Sequence, residues 1–184
     1  MFATRTVLCA SLIAACAAPA MAQKNPGTMS LAGGKLELEA PADWVRKQPR
    51  TRIVEYEFEI PAAEGDQNDG RLTVMSAGGG VEANIERWYG QFKQPDGGST
   101  KEQAKVEKIA VADQEVYLVD ISGTFSDRRG PFAPAVERPD YRMLAAIIPT
   151  AGGGDQFIKF YGPAKTVAEN QQAFRKMIDG LKTK

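Results

Sequence analysis

The chain has 184 residues, with 23 basic side chains balanced by 23 acidic ones and no histidine. The missing histidine removes the usual general base near neutral pH, the commonest metal ligand, and any Ser-His or Cys-His nucleophile pair. The charges balance and form no polybasic run, so nothing in them argues for nucleic acid or anionic lipid as a partner.

The N-terminus has the anatomy of an export signal. Arg5 is a short positive region, Thr6 to Ala18 is an apolar stretch too short to span a bilayer, and Ala20-Met21-Ala22 is a small-x-small cleavage site. Residues 1–22 are therefore expected to be a signal peptide and the product to be periplasmic or secreted. Ile13-Ala14-Ala15-Cys16 supplies an alternative, a lipoprotein box that would leave the chain lipid-anchored through Cys16. Both cysteines, Cys9 and Cys16, lie in this segment, so the rest of the chain has no thiol or disulfide chemistry. That remainder has the length of one domain with a sizeable core.

Residues 23–34 are polar and Gly-rich and read as a flexible leader. Leu36 and Leu38 alternate with charges in a strand over 35–39, closed by Pro41. In Arg52 to Ile60, Val54, Tyr56, Phe58 and Ile60 share the core parity, and Glu55, Glu57 and Glu59 are expected to face water. Asn68-Asp69-Gly70 turns the chain into a second strand, Arg71 to Met75, and the two read as a hairpin. Val81, Ile85, Trp88 and Phe92 recur at helical spacing. Strands follow over 105–111 and 115–125. A long polar and Pro-rich loop spans Ser126 to Asp140, and strands resume over 141–148 and 156–161. A last helix follows Gly162-Pro163, with Thr166 and Glu169 spaced as a capping box. Val167, Phe174, Met177, Ile178 and Leu181 form its apolar stripe.

The order β-β-β-α-β-β-β-β-α predicts one α+β domain over 35–184. It is expected to be a largely antiparallel sheet of about six or seven strands sandwiched by two amphipathic helices. Three features carry a resemblance: Pro41 with Trp44 after the first strand, the strand–Gly–helix segment with Trp88, and the terminal block F-I-K-F-Y-G-P-A-K followed by an amphipathic helix. Together they resemble the PsbP-like fold, shared by the PsbP subunit of photosystem II, a Ran-binding nuclear import factor and bacterial envelope proteins. The resemblance implies a sheet between helices and a binding role rather than a catalytic one, and it transfers no site residue.

Gly78-Gly79-Gly80 precedes a helix but lacks the spacing and the Lys-Ser/Thr of a phosphate loop, and Glu82 would repel an anion, so it reads as a corner. Residues 64–70 resemble a calcium loop but lack its spacing and closing Glu, so they read as a hairpin tip. No metal site or cofactor is expected. Asp120, on the parity of Val116 and Leu118, needs a partner and is expected near a strand edge with an arginine. The loop after Phe125 is the best binding candidate: Arg128, Arg129, Phe132 and Arg138 combine guanidinium groups with an aromatic ring. The expected function is that of an exported, non-enzymatic interaction or accessory protein of the bacterial envelope with a protein partner. The alternatives are a small-molecule or lipid carrier with a cavity between sheet and helices and, last, a hydrolase using carboxylates.

Overall fold

The computed structural model describes residues 27–128, 134–152 and 154–184. The signal segment with Cys16, the start of the leader, Arg129 and Phe132 lie outside them.

Eight strands form the main sheet, in the order β3-β4-β5-β10-β9-β8-β6, with β7 also pairing with β8. They are β3 (Val45–Lys47), β4 (Tyr56–Ile60), β5 (Gly70–Ala77), β6 (Phe92–Lys93), β7 (Lys105–Val111), β8 (Gln114–Asp127), β9 (Val136–Ile148) and β10 (Asp155–Pro163). Every pairing is antiparallel. A three-stranded sheet, β1 (Thr28–Leu31), β2 (Leu36–Glu39) and β11 (Lys182–Thr183), lies beside it. The helices are α1 (Val81–Tyr89), α2 (Thr100–Gln103), α3 (Ala164–Glu169) and α4 (Gln171–Asp179). The α+β sandwich expected from the sequence is present, with eight strands in the main sheet instead of six or seven.

Alternation along the strands gives the sheet two apolar faces. One carries Phe58, Leu72, Ile158, Phe160 and Ala146 against Val167, Phe174 and Ile178 of α3 and α4, with Met29 and Leu38 of the small sheet. The other carries Val119, Ile121, Met143, Ile147 and Phe157 against Ile85 and Trp88 of α1. Trp88 meets Phe157 edge-on at 6.0 Å, a favourable aromatic geometry.

Four expectations change. The leader contains β1, whose Met29 and Leu31 are fully buried; the alternation was too short to find. Tyr56 ties this strand to the main sheet, donating its hydroxyl to Ser30 O and accepting from Ser30 N–H. The last helix is two helices broken at Asn170, whose Oδ1 accepts from Trp44 Nε1. Thr166 and Glu169 form no capping box, because α3 has already begun at Ala164. Its free N–H groups look instead to the 61–69 hairpin tip: Asp66 accepts from Thr166 N–H at 3.0 Å and Thr166 Oγ1 at 2.6 Å. Finally, the loop expected over 126–140 is strand at both ends, since β8 runs to Asp127 and β9 starts at Val136.

Candidate functional site

The face that carries α1 keeps partly exposed side chains at Arg71, Lys159 and Tyr161. Beyond the helix, the pleat brings Glu57 of β4, Arg71 and Thr73 of β5, Lys159 and Tyr161 of β10, Tyr141 of β9 and Phe125 of β8 to the same side. The register sets this row: Arg71 lies opposite Tyr161, and Thr73 opposite both Lys159 and Glu57.

Glu57 corrects the sequence reading most clearly. Its alternation was right, but its face is not solvent: Glu57 is only 4% exposed. Arg71 explains how a buried carboxylate is tolerated. Its Nε and Nη2 donate to the two Glu57 oxygens at 2.9 and 3.0 Å, a two-pronged pair. Those bonds hold Glu57 below the usual carboxylate range despite its burial. The third prong, Arg71 Nη1, donates to Tyr161 Oη at 2.6 Å. Arg50 adds a weaker contact to Glu57 at 3.9 Å. It belongs to a cleft of about 400 Å³ whose rim includes Arg46, Lys47 and Arg52.

The other end of the row is built by an irregularity. Gly123 pairs with Tyr141, but Phe125 pairs with Arg138, so β9 has one extra residue at Pro139-Asp140. Asp140 takes φ +54° to accommodate it, a bulge device that short polar residues tolerate. In a regular strand Arg138 and Tyr141 would point to opposite faces. The bulge brings them together, with the Arg138 guanidinium 5.9 Å from the Tyr141 ring centre. Asp127 accepts from Arg138 Nε at 3.0 Å. Gly123 is required here: at φ +145° a Cβ would sit 2.7 Å from the Lys93 carbonyl of β6.

Phe125 joins the two ends. Its ring stacks on Tyr141 at 6.1 Å with an angle of 9°, and meets Tyr161 at 5.1 Å. The Lys159 ammonium stands 5.4 Å from the Phe125 ring centre and 5.2 Å from that of Tyr161, within range of a cation–π contact. Its hydrogen bond goes to Gln91 Oε1, in the turn after α1. Burial, reinforced by the charge of Arg71, lowers Lys159 from its ordinary value of 10.5 to about 7. Part of the side chain still reaches solvent. Burial pushes the Tyr161 and Tyr141 phenols up, so both stay protonated at neutral pH.

Of the residues singled out in the sequence, Arg138 belongs to this row and Arg128 is exposed at the end of β8. Arg129 and Phe132 lie outside the described residues. Lys159, Arg71, Tyr161 and Glu57 were missed. The signal for them was Lys159 alone among apolar residues in F-I-K-F-Y, on the parity that faces Arg71 across the hairpin. Asp120 has the arginine partner expected of it, accepting from Arg142 Nε and Nη2 at 2.8 and 2.7 Å on the opposite face, but it lies mid-strand between β7 and β9 and not at an edge. The glycine triplet is a corner. Gly80 has φ +76°, and Asn84 Nδ2 donates to the carbonyls of Gly78 and Gly80. At the hairpin tip, Asp66 is committed to Thr166, and Asp69 accepts from Ala62 N–H.

A groove of about 470 Å³ runs between β2 and α4, with Leu38, Pro41, Ala173 and Met177 among its lining residues. No described helix is long and apolar enough to cross a membrane.

No family model matches the chain, and no curated protein matches it. Several solved structures are similar to it. The cyanobacterial PsbP of Synechocystis sp. PCC 6803 has 11% identity over 85% of this chain and 91% of its own, with a TM-score of 0.47. The Saccharomyces cerevisiae Ran-binding protein Mog1p has 10% identity over 85% and 94%, with a TM-score of 0.45. LpqN of Mycobacterium tuberculosis, involved in cell envelope biogenesis, has 10% identity over 85% and 90%, with a TM-score of 0.46. A PsbP and a Ran-binding protein, the two proteins that the sequence resemblance brought forward, are thus both among the similar structures.

Proposed function

We propose that the chain is an exported, non-enzymatic accessory protein of the bacterial envelope that engages a protein partner through the partly exposed side chains of this sheet face. The observation that carries the reading is the row itself. Three cationic side chains, Arg71, Lys159 and Arg138, are held among Phe125, Tyr141 and Tyr161; the cations and Tyr161 are partly exposed, whereas Phe125 and Tyr141 are buried beneath them. Aromatic rings and arginine are the residue types on which protein interfaces concentrate their binding energy. The carboxylates support binding over carboxylate catalysis. Glu57, Asp120 and Asp127 are each engaged by an arginine, which leaves none of the three poised as an acid or base. Export rests on the anatomy of residues 1–22, with the lipid anchor at Cys16 as its alternative form.

The test is affinity capture from envelope extracts, comparing the wild-type chain with Arg138→Glu and Tyr161→Ala. Capture of a defined partner by the wild type and its loss in both variants is the expected result. Capture that survives both substitutions would remove the face from the interaction.

The carrier reading keeps one specific support, the groove beside Met177. Displacement of a fluorescent fatty acid, abolished by Ala173→Trp, would favour it.

A further inference from the structure

Charges in this row do not balance. Lys159 is approached by Arg71 from β5, with Glu57 of β4 behind it. Asp127 of β8 and Arg138 of β9 lie on the other side, and the phenols of Tyr141 and Tyr161 stay neutral. Glu57 is committed to Arg71 and Asp127 to Arg138. Lys159 has no ion pair among the described residues; its ammonium meets a neutral amide oxygen and two ring faces. With Arg50 set aside, because its side chain is 76% exposed to water beside Glu57, two carboxylates serve three cations, and the cluster is one negative charge short when Lys159 is protonated.

We propose that Lys159, framed by Phe125, Tyr141 and Tyr161, is a subsite for a single carboxylate carried on an apolar or aromatic group, as an acidic side chain of a protein partner presents it. A monoanion restores neutrality, whereas a phosphate dianion would overshoot it. The partly exposed Tyr161 ring provides apolar contact for the group that carries the carboxylate. The inference rests on the reading of this face as the partner-binding surface, and it adds a pH dependence. An incoming carboxylate favours the charged amine, so binding is strongest below pH 7 and takes up a proton as the pH rises above it.

Benzoate, ionised throughout this range, is a direct probe. It would be titrated into the chain at pH 6 and pH 8.5 and followed by calorimetry and side-chain amide NMR of Gln91. The wild type should bind about thirtyfold more weakly at pH 8.5, as expected for a site that needs Lys159 protonated. Lys159→Met should abolish binding at both pH values. Lys159→Arg, which stays charged, should bind with no step between them. Equal wild-type affinity at the two pH values, binding unchanged in Lys159→Met, or no benzoate binding at pH 6 would each overturn the proposal. If benzoate follows the expected pattern while envelope capture is indifferent to Lys159→Met, the subsite stands and its assignment to a protein partner falls.

Discussion

Lys159 works against the fold that holds it. Its folded-state value near 7 lies below the ordinary 10.5, so between these values the unfolded chain binds more protons than the native one. Stability from this group therefore rises with pH across that window, and the full cost is present below it. The cation–π contacts and the bond to Gln91 offset only part of the desolvation. Replacing the amine with an apolar side chain of similar length should remove the cost. Lys159→Met is expected to stabilise the protein by about 1–2 kcal/mol at pH 6, with the gain fading as the pH approaches 10.5. Urea denaturation at several pH values measures this. A variant less stable than the wild type at pH 6 would make Lys159 a structural residue and weaken its assignment to binding. Glu57 shows the contrast: it too is buried, yet Arg71 holds its charge and lowers its value. A residue that costs stability without such a partner is the kind that function retains.

At the scale of elements, the strands with long alternation were legible. β7 is found where the sequence placed it, and β5, β9 and β10 extend the expected strands at one or both ends. What failed was whatever depended on distant partners. Four-residue β1 carries only two core positions, and its pairing with β2 is not written locally. Glu57 looks solvent-facing until β5 places Arg71 beside it. Arg138 looks like a loop residue until the Pro139-Asp140 bulge turns it toward Tyr141. The capping box at Thr166 and Glu169 is the most testable case, because its sequence pattern is correct and its structure differs. Asp66, a hundred residues away, accepts from Thr166, while exposed Glu169 lies 4.0 Å from Lys165. Asp66→Ala should therefore destabilise the protein by about 1–2 kcal/mol, the scale of a lost helix cap. Glu169→Gln should remain within about 0.5 kcal/mol of the wild type, as for other surface substitutions. The opposite ranking in chemical denaturation would restore the local box.

At the scale of the molecule, the question is whether two apolar layers make one cooperative unit. Ile178 is fully buried in the layer of α3 and α4, and Ile85 is 7% exposed in the layer of α1. The layers share their strands: Phe157 and Ile158 are neighbours in β10 but face opposite sides. Unfolding either layer alone would leave the other side of the same strands bare to water, which couples them. A sheet of eight strands with antiparallel neighbours throughout also offers no seam along which half could separate. Ile178→Val and Ile85→Val should each cost about 0.5–1.5 kcal/mol by removing one buried methyl group. Both should move a single transition, recorded identically by near- and far-ultraviolet circular dichroism. Because the side chains lie in different layers with no shared partner, the double variant should equal the sum of the two within about 0.5 kcal/mol. If Ile85→Val instead splits off an early transition while the Ile178 layer stays folded, the α1 layer is a separately melting unit. The aromatic–cationic row beyond α1 would then be attached to the least stable part of the protein, and partner binding should suppress that early transition.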